Sequence, residues 1–221
     1  MFTGLIQDVG KIVALDRSGE DVRLRVKTFH LPLAEINLGD SIAVNGVCLT
    51  ASQKTSDGFW ADVSIETMQC TTFSQLRVAD KVNLEKSLTL STAIGGHLVS
   101  GHVDGVARVL AIKEDGCSKR ITIHSPNELM KYMAKKGSVC IDGISLTINN
   151  VDHQNFQVNI VPHTLHATTM ANYVVGREVN LEVDMIARYV ERLLLFTASS
   201  VSSPSNITPE FLAEHGFFNS K

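Results

Sequence analysis

The feature that most constrains this 221-residue chain is that it repeats itself. A shift of 97 positions carries Gly4 onto Gly101 and the segment 44–51 (VNGVCLTA) onto 141–148 (IDGISLTI). The same shift lays Thr67, Thr71 and Thr72 on Thr164, Thr168 and Thr169, and VNLE at 82–85 on VNLE at 179–182. One offset shared by four separated blocks marks a tandem duplication, and a unit of about 90 residues is the size of a small domain rather than of a solenoid repeat. The predicted domains are residues 1–97 and 98–187, joined at the glycine-bearing stretch around Gly95 and Gly96.

Whatever one copy folds into must therefore be folded twice. Val22, Leu24 and Val26 alternate with polar residues, as do Ile42 and Val44, which is the period of a strand. Asp57-Gly58 and Asp115-Gly116 punctuate these runs as turns. Short strands in so small a domain favour a closed barrel, because closure removes exposed strand edges; a two-sheet sandwich meets the same pattern. One or two helical turns are predicted near 129–136, with an equivalent at 33–38. After the second copy the period changes. Ile186, Tyr189, Val190, Leu193 and Leu194 fall at helical spacing, predicting a helix over 185–197 with one apolar stripe. That stripe is read as packing either on the same helix of other subunits or on its own barrel. Residues 198–221 read as a flexible tail, Ser-rich over 199–205. A short helix starts there at Thr208, Pro209 and Glu210, with Phe211, Leu212, Phe217 and Phe218 as its apolar face.

Composition narrows the function. A net charge of -3 with Lys and Arg scattered singly argues against nucleic acid as a partner. No apolar run approaches the roughly 20 residues of a membrane span, and no basic stretch followed by a long apolar segment opens the chain, so a cytoplasmic protein is expected. Cys48, Cys70, Cys117 and Cys140 have neither metal-ligand spacing nor the density of a disulfide scaffold and are read as reduced thiols. His163 and His166 lie three apart but follow Pro162 in a strand-like stretch, so no metal site is predicted.

MFTG at the start, NGVCLT at 45–50, GGHLVSGH at 95–102, KKGSV at 135–139 and DGISLT at 142–147 together resemble the riboflavin synthase family over residues 1 to about 195. The resemblance implies an all-β fold of two tandem six-stranded Greek-key barrels plus a C-terminal helix that holds a homotrimer together. It implies dismutation of two molecules of 6,7-dimethyl-8-ribityllumazine by four-carbon transfer, the last step of riboflavin biosynthesis, with no metal or nucleotide cofactor. The site would lie between the first barrel of one subunit and the second barrel of a neighbour. A non-catalytic lumazine or flavin-binding protein is the alternative, and association with a lumazine synthase stays open.

Small barrels are filled by their own side chains, so the ligand is expected at a mouth. Gly4, Leu5 and Ile6 in copy one, and Gly101, His102 and Val103 in copy two, are placed to offer it backbone groups. Thr50 with Thr147, and Thr67 with Thr164, supply hydroxyls at equivalent depths, flanked by Leu49 and Leu146. Asp62, Val63, Ser64, Ile65 and Glu66 in the first copy, and Val161, Pro162, His163, Leu165 and His166 in the second, complete the implied contacts. Lys136 is implied to touch the neighbour's ligand. Two identical substrates must play opposite roles, so chemistry is expected where the copies differ: Cys48 against Ser145, Leu5 against His102, Glu66 against His163. His102 is expected to assist removal of a proton from the methyl group on ring carbon 7, since an imidazole titrates near neutrality. Ser145 and Cys48 are expected to hold the nucleophile or the developing anion, and Phe2 to pack on a ring face. His97 is read as structural.

Overall fold

The computed structural model describes residues 1–18, 21–201 and 209–217. Met1–Met185 form one compact unit and Ile186–Lys221 a second. In the first unit the strands β1 (Asp8–Ser18), β2 (Asp21–Lys27), β3 (Ser41–Val44), β4 (Val47–Thr55), β5 (Gly58–Val63) and β6 (Lys81–Lys86) close into a barrel in the order β1-β2-β5-β4-β3-β6. The second copy repeats that order with β7 (Gly105–Asp115), β8 (Ser118–His124), β9 (Ser138–Ile141), β10 (Ile144–Val151), β11 (Asn155–Ile160) and β12 (Glu178–Val183). Every pairing is antiparallel, and closure rules out the sandwich.

The repeat survives down to the irregularities. Register shifts fall between Ile12 and Ala14 in β1 and between Val109 and Ala111 in β7, and again between Ala51 and Gln53 and between Ile148 and Asn150. Such bulges bend a strand and sharpen its twist, which helps six strands close. Core positions match one for one: Leu24 with Ile121, Val26 with Ile123, Phe59 with Phe156, Leu84 with Leu181, all at most 1% exposed. Each such side chain contributes about 1.5–3 kcal/mol by leaving water.

Beyond the strands, 3-10 turns at Leu33–Glu35 and Asn127–Tyr132 overlap the predicted helical turns at 33–38 and 129–136 but end before them, at residues 35 and 132. Two short helices, α1 (Ile65–Cys70) and α2 (Pro162–Ala167), were not foreseen. Ser64 caps α1 by accepting from Thr67 N–H, and Pro162 opens α2 with a φ already suited to the first helical turn. The stretch carrying His163 and His166, read as strand-like, is therefore helix α2: Pro162 starts a helix here instead of ending one.

The two barrels touch along an approximate two-fold arrangement. The β3–β4 hairpin turns on Asn45-Gly46 and the β9–β10 hairpin on Asp142-Gly143, each with positive φ at both residues, as two-residue hairpins require. The two tips meet, so that a Cβ on Gly46 would stand 2.7 Å from Gly143 N. Asn83, buried on β6, donates to Asp142 O and accepts from Thr169 N–H, while Asn180 on β12 donates to Asn45 O and accepts from Thr72 N–H. The asparagine of each VNLE block thus stitches its own barrel to the other.

In the second unit the predicted helix is present as α3 (Met185–Val201), running past residue 197, where the sequence reading ended it. Its predicted stripe of Ile186, Tyr189, Val190, Leu193 and Leu194 is exposed. α4 (Pro209–Glu214) follows. Thr208, Phe218 and the serines at 202, 203 and 205 lie outside the described residues. No helix among the described residues is long and apolar enough to cross a membrane.

Candidate functional site

Each copy begins with a short extended segment that crosses to the other copy's barrel. Gly4 O accepts from Ser145 N–H at 2.8 Å, and Gly101 O accepts from Cys48 N–H at 2.8 Å. Ile6 packs against the core of the second barrel, and Val103 against the core of the first. Where the segments pass each other, Phe2 and Val99 exchange main-chain hydrogen bonds of 2.7 and 3.0 Å.

Glycine is required at both crossings. Gly4 and Gly101 have φ of 75° and 82°, and a Cβ on Gly4 would stand 2.5 Å from Ser145 Cβ, one on Gly101 2.7 Å from Cys48 Cβ. A buried carboxylate pins each segment. Glu85 accepts from Thr3 N–H, Thr3 Oγ1 and Gly4 N–H, and Glu182 accepts in the same way from Ser100 N–H, Ser100 Oγ and Gly101 N–H. Burial raises both carboxyls above their ordinary values, and these hydrogen bonds offset only part of that rise.

The crossing sorts the predicted residues into two corners, each built from both copies. The first gathers Cys48 and Thr50 on β4, Asp62 on β5, Ser64 and Thr67 at the head of α1, and the segment through Gly101, His102 and Val103. Ser64 Oγ and Thr67 Oγ1 are 2.9 Å apart, and Asp62 pairs with Arg23 at 3.3 Å on the exposed face. The second corner gathers Ser145 and Thr147 on β10, Val161 at the head of α2, Thr164 and Leu165 within it, and the segment Gly4, Leu5 and Ile6. His102, counted with the second copy by sequence, therefore stands in the corner of Cys48, whereas Leu5 stands with Ser145.

Some predicted contacts are placed elsewhere. Leu49 and Val63 are buried in the first core, and Leu146 packs against the second. Phe2 is fully buried among Ala43, Val99 and Cys140 between the barrels, where its ring meets the position of a Gly101 Cβ at 2.8 Å. Its aromatic area is spent on the crossing rather than on a ligand ring. Glu66, His163, Pro162 and His166 are exposed on α1 and α2. Lys136 is exposed with a φ of 70°, at the position where the first copy has Gly39. A groove of about 850 Å³ lined by Thr72, Gln75, Arg108, Thr169 and Arg177 holds none of the predicted site residues.

His97, read as structural, lies against the second corner. Its Nδ1 lies 2.7 Å from Ser145 Oγ, and its main-chain N–H donates to Thr3 O. Burial holds this imidazole below the ordinary histidine value, with the Asp184 carboxylate acting in the opposite direction.

Both corners stay open in a single chain: Leu5, Ile65 and Val161 leave 48%, 43% and 52% of their surface exposed around them. Paired shelves with apolar walls, hydroxyls and accessible backbone, set on the outward faces of β4 and β10, define a duplicated-barrel protein with one like shelf per barrel.

The lumazine binding domain family matches residues 3–87 and again residues 100–184. Riboflavin synthases of Photobacterium leiognathi and Photobacterium phosphoreum are 45% and 46% identical over 99% and 98% of this chain and 100% and 99% of their own lengths. That of Bacillus subtilis is 38% identical over 98% of this chain and its full length. Among solved structures, LumP complexed with 6,7-dimethyl-8-(1'-D-ribityl) lumazine and LumP complexed with riboflavin superpose with TM-scores of 0.75 and 0.76. They are 26% and 27% identical, and each match covers 83% of this chain and 99% of LumP. The chain belongs to the riboflavin synthase family.

Proposed function

We propose that this chain is a riboflavin synthase, a transferase that converts two molecules of 6,7-dimethyl-8-ribityllumazine into riboflavin and 5-amino-6-(D-ribitylamino)uracil. The observation that carries the proposal is the pair of equivalent corners, each assembled from both copies, in a chain 45–46% identical from end to end to riboflavin synthases. A reaction between two copies of one substrate needs two like shelves, and holding both substrates in register supplies much of the barrier reduction.

The two shelves are alike in what binds and unlike in what reacts. The first-barrel corner offers Cys48 with His102, and the second offers Ser145 with Leu5. His102 assists loss of the proton from the methyl group on carbon 7 of one lumazine. Ser145 orients the nucleophile at carbon 7 of the other, and Cys48 steadies the developing anion. The exposed apolar rims favour closure by a second protein surface. The active site is therefore assigned to the meeting of a first barrel with the second barrel of a neighbouring subunit in a homotrimer. The apolar stripe of α3 supports that assembly by offering a face for its own counterparts. No metal or nucleotide cofactor is assigned, the cytoplasm is the proposed compartment, and docking to a lumazine synthase belongs to the same reading.

LumP carries lumazine and flavin on the same fold, so a binding protein is the competing reading. The much lower identity to LumP, 26–27%, favours the enzyme. The test is to incubate the purified protein with 6,7-dimethyl-8-ribityllumazine alone. Riboflavin formed in the ratio of one per two lumazines consumed supports the enzyme, and stable binding without turnover supports the alternative.

A further inference from the structure

The groove of about 850 Å³ is built from the same stretch of each copy: under the 97-residue shift Asp80 and Lys81 fall on Arg177 and Glu178, and all four line it. Charge is thus reversed from one wall to the other. The two acids are already engaged, Glu178 by Arg108 at 2.5 Å and by Gln75, and Asp80 by the Arg77 N–H. Among the described residues, neither the Arg177 guanidinium nor the Lys81 ammonium has an ion pair or a hydrogen bond, and Arg177 Nε is buried without a partner. Yet Arg177 is held in place. Its Cζ lies 4.8 Å from the centre of the Tyr173 ring, and Tyr173 donates through its hydroxyl to the buried Asp142 at 2.5 Å. The other Asp142 oxygen accepts from Asn180 N–H, so this carboxylate favours the cation without pairing with it. The first copy has Leu76 and Asp80 at the positions of Tyr173 and Arg177 and still packs Leu76 on its core. Barrel packing therefore does not call for the stacked guanidinium, whereas holding an anion does.

We propose that this groove binds the phosphate or diphosphate group of a small metabolite, with Arg177 and Lys81 as the residues that hold the anion. A guanidinium offers a planar fork that matches two phosphate oxygens at once, and an ammonium adds a point charge beside it. The volume falls in the range of small-molecule sites. Lys81, Arg108 and Arg177 outnumber Asp80 and Glu178 along the lining, in a chain whose net charge is -3. The site is separate from both shelves, so its ligand does not compete with lumazine. It also touches the seam between the barrels. Asn45 and Thr72, which Asn180 joins across that seam, belong to the same lining, so a bound phosphate braces one barrel against the other.

The test titrates the full-length protein with inorganic pyrophosphate in a calorimeter, in a chloride buffer of about 0.1 M ionic strength that screens loose surface attraction. One saturable site per chain is expected, and the thermal midpoint should climb as pyrophosphate is added, because the ligand binds only the folded form. Arg177→Gln should weaken binding on the order of 10-fold or more, the loss of a charge-assisted contact, and Lys81→Gln should weaken it as well. Lys113→Gln, which removes a charge from an exposed position of β7 outside the groove, should bind as the wild type does. Absence of saturable binding to the wild type would overturn the proposal. So would a loss in Lys113→Gln as large as that in Arg177→Gln, since general charge would then be the cause. If Arg177→Gln does not fold, the exposed Lys81 decides: Lys81→Gln that binds no more weakly than Lys113→Gln overturns the proposal. Binding is read without turnover, so a failure of the dismutation reading would leave this result standing by itself.

Discussion

Four residues carry the geometry on which the chemistry depends: Gly4 and Gly101 at the crossings, Glu85 and Glu182 behind them. Replacing Gly101 by Ala forces a left-handed backbone on an L side chain, about 1–2 kcal/mol by itself, and drives a methyl to 2.7 Å from Cys48 Cβ. The urea midpoint should fall by more than that backbone cost with the m-value unchanged. The glutamates act through pH. Their folded values lie above the ordinary Glu value because burial penalises the charge. Their protonated forms are thus favoured by folding: the contribution is full below the unfolded value and lost as pH rises through the folded one. Wild type minus Glu85→Gln, measured as unfolding free energy against pH, should therefore show relative stabilisation of the wild type as pH is lowered from neutrality toward the ordinary Glu range. A flat difference would mean that Glu85 titrates alike folded and unfolded. At the first-barrel corner, His102→Gln should reduce turnover on the order of 10²-fold without shifting the thermal midpoint, because His102 is exposed.

Strand content was legible at the level of elements because Leu24 and Val26 alternate with polar neighbours, and the repeat then doubled every inference. Helices α1 and α2 were not read, although Ser64 with Thr67 and Pro162 are ordinary start signals; six residues are too few to show a helical period. The crossing was illegible for a different reason. A sequence shifted against itself pairs Gly4 with Gly101 but says nothing of which barrel either one lies on. That is why His102 was counted with the second copy, although its segment runs beside Cys48. The asparagines of β6 and β12 make a prediction at this scale. Asn180→Ala orphans Asn45 O and Thr72 N–H, at about 1–3 kcal/mol for each group, and calorimetry should show a marked fall in midpoint. For α3, Val190→Asp with Leu193→Asp places two charges on its exposed apolar stripe. Light scattering should then report monomers and turnover should collapse; a trimer that persists would remove the helix from the interface.

At the scale of the molecule, the duplication supplies two shelves of one design and the crossing makes each shelf a product of both copies. Sequence differences then fall on opposite shelves, Cys48 with His102 on one and Ser145 with Leu5 on the other. Reaction is expected to need the first shelf of one subunit against the second shelf of another. Mixing subunits tests this most directly. His102→Gln disables the first shelf and Ser145→Ala the second, so trimers of either variant alone hold no intact pair of shelves. Unfolded together and refolded, the two should regain riboflavin formation well above either parent, because an intact first shelf of one variant then faces an intact second shelf of the other. Activity that stays at the level of the separate variants would contradict the claim and return the reaction to the shelves of a single chain.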